Sequence, residues 1–259
     1  MTILGQFVLR LVFGTSLAMA CTPSKLVTSG YYRNNLYVLL GLNSLASLVA
    51  WTGAGEGPHV LWPPLVAAVA SYLGAVCWLY EKPRPGTAVL VLIAATTLAG
   101  AWLSGAPAES APAVLRVLRY LDPLLGGLVL GLTFAAMLLG HWYLNAPGMS
   151  LKPLKRLVLA MFAAVVLRAA LAGLGLGLEL TETPTPFELG RWEMGRWLFV
   201  GLRWLAGLVG ASVVAVATWQ TLKIPNTQSA TGILYVGVIG TFLGELMSQL
   251  LSSETTYPL

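Results

Sequence analysis

The chain has 259 residues, 57% of them hydrophobic and 10% charged, with a mean hydropathy of +0.77. A soluble domain carries about 25% charged residues, so 15 basic and 10 acidic side chains are too few to coat a water-facing surface. This excludes a cytosolic enzyme and a disordered tail, and two cysteines cannot staple such a chain into a secreted disulfide scaffold. The composition specifies an all-α integral membrane protein.

A hydrocarbon core about 30 Å thick takes roughly 20 apolar helical residues to cross. In chain order the sequence predicts eight such helices, at 3–21, 36–52, 61–80, 87–104, 124–144, 156–178, 197–219 and 231–252. Ala18-Met19-Ala20-Cys21 at the end of the first resembles a small-residue cleavage site. No basic residue precedes it, however, and Arg10 interrupts its apolar core, so it is kept as a span. Turn chemistry marks the breaks at Lys82-Pro83-Arg84-Pro85-Gly86 and Ile224-Pro225-Asn226. The apolar runs are continuous, whereas barrel strands would alternate. The connections leave no room for a soluble domain, and 110–122 and 184–196, which mix apolar and charged residues, are expected to lie as short helices on the outer interface.

Basic residues in short loops mark the cytoplasmic face. Lys25, Arg33, Lys82, Arg84, Lys152, Lys155, Arg156 and Lys223 follow the odd-numbered spans. Arg116, Arg119, Arg191 and Arg196 follow the even ones, mixed with Glu56, Glu109, Asp122, Glu179, Glu182, Glu188 and Glu193. Both termini are therefore expected on the non-cytoplasmic side of a plasma membrane, or of the inner membrane in a bacterium. The net charge of +5 is a topology signal, because its basic residues are dispersed among loops. They lack the clustering that nucleic acid requires, so the expected partners are the lipid bilayer and other protein subunits.

An internal repeat is visible. Gly5, Val8, Leu9, Leu11, Phe13 and Leu17 align without gaps on Gly126, Val129, Leu130, Leu132, Phe134 and Leu138. Trp78 and Lys82 match Trp219 and Lys223, and Thr87, Leu90, Thr97 and Gly100 match Thr231, Leu234, Thr241 and Gly244. The sequence thus predicts two parallel four-helix repeats, 1–104 and 124–259, joined by an interfacial linker at 105–123.

Ionisable groups inside a span are costly and point to function or to a structural ion pair. Arg10, Arg168, Arg203 and Glu245 qualify. At about 1.5 Å per residue they lie about 10, 15, 9 and 10 Å from the outer ends of their spans, all in one half of the bilayer. Three guanidiniums against one carboxylate leave an excess that needs water, carbonyls, headgroups or a bound anion. One reading is a site for an anionic or carbonyl-bearing ligand, such as a quinone headgroup, with Glu245 as proton acceptor or counter-ion. The other is a single Glu245–Arg168 pair, with Arg10 and Arg203 snorkelling outward. The repeat partners of Glu245 and Arg10 are Ala101 and Gly131, so the cluster is not duplicated.

Along the last span Gln228, Thr231, Tyr235, Thr241, Glu245, Ser248, Gln249 and Ser252 share an arc of roughly 160°. Such a stripe reads either as a ligand or proton path or as a polar helix seam, and Gly240-x-x-x-Gly244 beside it permits close helix approach. A second polar group is expected at the inner face, from His141, Tyr143, Asn145 and Gln228, with Asn226-Thr227-Gln228-Ser229 closing over it and Trp142 and Tyr143 in an aromatic belt. His59 sits at the other face, which argues against a bis-His haem, and no residue grouping has metal-site spacing. Gly173-Leu-Gly175-Leu-Gly177 follows no strand and is no dinucleotide fingerprint. No Ser-His-Asp set or carboxylate pair is placed for hydrolysis, which suits an accessory subunit better than an enzyme.

In architecture alone, two four-helix halves with outward termini resemble the quinol-interacting anchor subunits of molybdopterin oxidoreductases. No motif matches them residue by residue, so the likeness is one of fold. The expected function is a membrane subunit of a redox or ion-translocating complex, binding a quinone-like ligand near Arg10, Arg168, Arg203 and Glu245. Protons would pass along Tyr235, Thr241 and Gln249. A small-solute or ion transporter and a purely structural subunit are the alternatives.

Overall fold

The structure, a computed structural model, describes residues 2–53, 58–107, 110–146, 148–182, 194–224 and 226–259. Glu56, Glu109, Glu188, Arg191 and Glu193 lie outside the described residues, as do the interfacial helix expected at 184–196 up to residue 193 and the side chains of Glu182 and Arg196. Among the described residues the regular elements are all helical: α1 (Ile3–Cys21), α2 (Ser29–Thr52), a 3-10 turn (Pro58–Val60), α3 (Trp62–Leu79), α4 (Pro83–Ser104), α5 (Ala113–Asn145) and α6 (Lys152–Glu182). They continue with α7 (Met194–Leu202), a π-helical stretch (Arg203–Gly210), α8 (Ala211–Thr221) and α9 (Thr227–Glu254). By length and hydropathy eight segments can cross a bilayer, the seventh being Trp197–Thr221, built from α7, the π stretch and α8. The chain is a multi-pass membrane protein.

Helix starts follow local chemistry. The Thr2 side chain accepts a bond from the Gly5 N–H at 3.3 Å, and Asn226 does the same for Ser229 at 2.9 Å. Prolines in the first turn open α3 and α4, where a missing N–H costs nothing. Asn226 thus caps α9, and the segment expected to close over His141 is the start of that helix.

Most helices begin earlier than the sequence indicates, and two of them by well over a turn. α2 takes Arg33 into its first turns, and α5 starts at Ala113. Residues 113–122, expected on the interface, are therefore the opening turns of α5, and the connection is shorter than 105–123. Pro123, which the expected span at 124–144 leaves outside, lies inside the helix. What carries the helix past it is packing: Leu118 is buried with Leu171 and Tyr257, flanked by Leu115, Leu121 and Leu125. Tertiary contacts of this kind make proline tolerable within membrane helices.

The helices pack as two rings of four. In the first, α1 touches α2, α2 touches α3, α3 touches α4, and α4 returns to α1. In the second, α5, α6, α8 and α9 repeat that order. The rings meet chiefly along α1 and α5, where Gly14 lies against Gly127 and Gly131. A Cβ built on Gly131 would fall 1.9 Å from the Gly14 carbonyl carbon, so only glycine lets the backbones approach this closely. Buried hydroxyls bond to carbonyls of their own helix, as Thr15 does to Leu11, Ser16 to Val12 and Thr133 to Val129, each at 2.7 Å. The outward faces carry Leu48, Val69, Val213 and Ile239, all more than half exposed and at home against lipid.

Candidate functional site: a buried chain of five charges

Arg10 of α1, Asp122 of α5, Arg168 of α6, Glu245 of α9 and Arg203 at the start of the π stretch are all buried, none more than 7% exposed. They form one chain of alternating sign. Arg10 Nη2 lies 2.8 Å from Asp122 Oδ2, and Arg168 Nη1 lies 2.7 Å from Asp122 Oδ1. Arg168 then grips Glu245 with two parallel bonds, Nε to Oε1 and Nη2 to Oε2, both 3.0 Å. Arg203 Nη1 donates to Glu245 Oε1 at 2.8 Å, and Arg168 Nη2 also donates to Ser248 Oγ at 2.9 Å. The bidentate grip uses the planar fork that distinguishes arginine from lysine.

Backbone shape makes room for these groups. Gly126 lies one turn beyond Asp122 on α5, and a Cβ there would sit 2.5 Å from Glu245 Oε2. Gly207 lies one turn beyond Arg203, and Gly207 and Gly244 bring the π stretch against α9. Desolvating an ion costs several kcal/mol, which attraction repays only when geometry is good and the other donors and acceptors are satisfied. The Arg168–Glu245 grip meets that condition. The rest of the chain does not: among the described residues Arg10 Nε and Nη1 and Arg203 Nε and Nη2 have no hydrogen-bond partner, and Asp122 Oδ1, 2.7 Å from Arg168 Nη1, has an ion-pair neighbour but no hydrogen bond.

The sequence placed Arg10, Arg168, Arg203 and Glu245 at one depth, and the structure joins them. The fifth member, Asp122, was assigned to an outer loop. Two further expectations are corrected with it. The cluster is no isolated Glu245–Arg168 pair with two snorkelling arginines, because Arg203 is 1% exposed and donates to Glu245, while Arg10 pairs with Asp122. The excess is three guanidiniums over two carboxylates, so the chain of five carries a net single positive charge.

Beside Arg10 a polar vestibule of about 210 Å³ opens toward the start of α1, the N-terminal part of α5 and the end of α9. Gln6, Arg10, Arg119, Asp122, Gln249 and Ser252 line it. Gln249 is 7% exposed, yet neither its Nε2 nor its Oε1 has a partner. Gln6 donates to the Ala101 carbonyl at 3.0 Å, leaving its own Oε1 unpartnered. A second approach, toward Arg168, is covered by residues 255–259. The Ser248 hydroxyl donates to the Leu259 carbonyl, the Tyr257 N–H donates to Glu179 Oε2 at 3.0 Å, and Arg119 Nη2 donates to the carbonyls of Thr255 and Thr256. Gly175, in the glycine triplet of α6, is what lets this tail lie down: a Cβ there would meet the Pro258 carbonyl oxygen at 1.9 Å.

The rest of the expected stripe on α9 divides. Thr231 and Thr241 are buried but bond to Thr227 O and Gly237 O of their own helix, whereas Gln228 and Tyr235 are exposed. Tyr235 Oη instead lies 3.4 Å from His141 Nδ1 at the other end of the bundle. The members of the inner-face group differ in exposure. His141 and Asn145 are exposed, while Tyr143 is buried and donates to the Ser150 carbonyl at 2.5 Å rather than standing in an aromatic belt. Known protein families, curated proteins and solved structures were all compared with this chain, and none matches it.

Proposed function

We propose that the chain is a membrane subunit of a redox or ion-translocating complex, and that its vestibule takes a quinone-like headgroup bearing carbonyl or oxyanion acceptors. One observation carries this reading: Arg10 and Gln249 line the vestibule with buried donors that nothing among the described residues satisfies. Buried donors left unmade cost roughly 1–3 kcal/mol each, and an acceptor-bearing ligand removes that cost. The net positive charge of the five-residue chain adds an electrostatic preference for electron-rich oxygens. Glu245 accepts from both Arg168 and Arg203, which suits a counter-ion better than a proton acceptor. Proton conduction along α9 draws no support, since the hydroxyls of Thr231 and Thr241 are committed to their own helix. The matching order of the two rings supports descent from parallel four-helix repeats, and the basic-loop bias supports a vestibule open to the non-cytoplasmic side.

Gln249→Leu tests the site without disturbing the ion pairs. Because the Gln249 amide has no internal partner, the variant should keep its thermal stability in detergent or gain about 1 kcal/mol. Its affinity for a short-chain benzoquinone, read by tryptophan quenching, should fall about tenfold, the loss of one charge-neighbouring hydrogen bond. Unchanged affinity, or no measurable quinone binding by the unmutated protein, would remove the quinone reading. The vestibule also lies where the first ring meets the second, which favours a small-solute transporter as second reading. Accumulation of solute by the protein alone in liposomes distinguishes it from a subunit that works only with partners.

A further inference from the structure

At the opposite end of the bundle, α6 and α8 leave an apolar groove of about 250 Å³. Val158, Leu159 and Phe162 form one wall, Val216 and Trp219 the other, with Lys223 at its mouth. Arg168 is a further ten residues along α6 from Val158, about 15 Å away, so this groove is separate from the charge chain. In the first ring the aligned tryptophan is covered. There Tyr32 of α2 stacks on Trp78 of α3 with ring centroids 3.9 Å apart and planes within 7°. Trp78 is 3% exposed, whereas Trp219, which aligns with it in the repeat, is 37% exposed. Among the described residues no ring stacks on Trp219.

The mouth has a definite charge. Consecutive spans run in opposite directions, so α6 begins where α8 ends. This brings Lys152, Lys155 and Arg156 to the same end of the bundle as Lys223, and residues 146–158 and 214–230 contain no Asp or Glu. An apolar trough within the membrane that ends in cations and an interfacial tryptophan matches a lipid with an anionic headgroup.

We propose that this groove is a binding site for one anionic phospholipid. An acyl chain lies between Leu159, Phe162 and Val216. The phosphate sits at Lys223, and Trp219 stands at the level of the glycerol. The site is independent of the vestibule and of any reading of its ligand.

Native mass spectrometry of the purified protein, titrated with phosphatidylglycerol or with phosphatidylcholine of the same acyl chains, tests it. One phosphatidylglycerol should be retained at concentrations where phosphatidylcholine is lost. Lys223→Gln should weaken phosphatidylglycerol about fivefold, as expected for one lysine near an anionic lipid surface. Val216→Trp, placed on the exposed wall, should fill the groove and abolish retention of the bound lipid. Both substitutions are at exposed positions, and unaltered melting temperatures establish that the variants fold. Equal retention of the two lipids, or unchanged binding in either variant, overturns the proposal.

Discussion

Glu245→Gln should destabilise the protein by about 3–5 kcal/mol, the cost of breaking a buried ion pair by removing one partner. The reason lies in the order of charges along the chain. Among the described residues Glu245 is the sole charged partner of Arg203, and it is half of the support of Arg168, which keeps Asp122 and Ser248. Neutralising it leaves three guanidiniums facing one carboxylate inside the membrane, and arginine cannot relieve the excess by releasing a proton. Arg203→Met should behave differently. It removes a cation that already has two unmatched nitrogens and leaves Glu245 with both bonds from Arg168, so no buried charge is left uncompensated and the cost should be about 1 kcal/mol or less. The double variant should be more stable than Glu245→Gln alone, because the uncompensated charge that dominates the single change has gone. Thermal unfolding of the four proteins in one detergent completes the cycle, with a coupling of about 1–3 kcal/mol expected. If Arg203 merely snorkelled to the interface, it would contribute no coupling and the double variant would melt with Glu245→Gln.

How much of this cluster is readable in the sequence follows from what each residue reports about its surroundings. Arg10, Arg168, Arg203 and Glu245 interrupt long apolar runs, so depth counting places them together before any packing is known. Asp122 is hidden by its neighbour: Asp-Pro is a standard way to begin a helix, and the reading that ends there sends a buried carboxylate to the surface. The charge excess itself held a partial signal, since a further carboxylate at that depth is one of the ways three buried guanidiniums can be compensated. The tail at 255–259 was not legible for a different reason. Apart from Tyr257, which packs on Leu118 and Leu171, it is held through backbone carbonyls and N–H groups by Arg119, Ser248 and Glu179, and such bonds leave no mark on side-chain pattern. The stripe on α9 misled in the opposite way. Helical phase groups Gln228 and Tyr235 with Glu245, but phase says nothing of where neighbouring helices end, and Tyr235 meets His141 instead.

Gly131→Ala should cost about 3 kcal/mol, the upper part of the range for overpacking a tight core, although it adds a single methyl group. Its Cβ would meet the Gly14 carbonyl carbon at 1.9 Å and the Thr15 nitrogen at 2.1 Å. Both are backbone atoms, so no rotamer change relieves the clash and α1 must move away from α5 as a body. Gly14→Ala should act similarly, since its Cβ would fall 1.8 Å from the Gly127 carbonyl oxygen. Gly232→Ala on α9, with nothing within 4 Å, is the control and should stabilise by about 0.5–1 kcal/mol through helix propensity. The seam variants should also carry a second defect. Arg10 lies one turn before Gly14, and Asp122 lies on the same helix as Gly127 and Gly131, so parting the helices stretches the Arg10–Asp122 bridge from its 2.8 Å. Benzoquinone binding should therefore fall in Gly131→Ala even below its melting temperature, while Gly232→Ala binds as the unmutated protein does. A loss of stability with full binding would instead place the ligand away from the α1–α5 seam, because a vestibule lined by Arg10 and Asp122 cannot keep its shape when the helices that carry them separate.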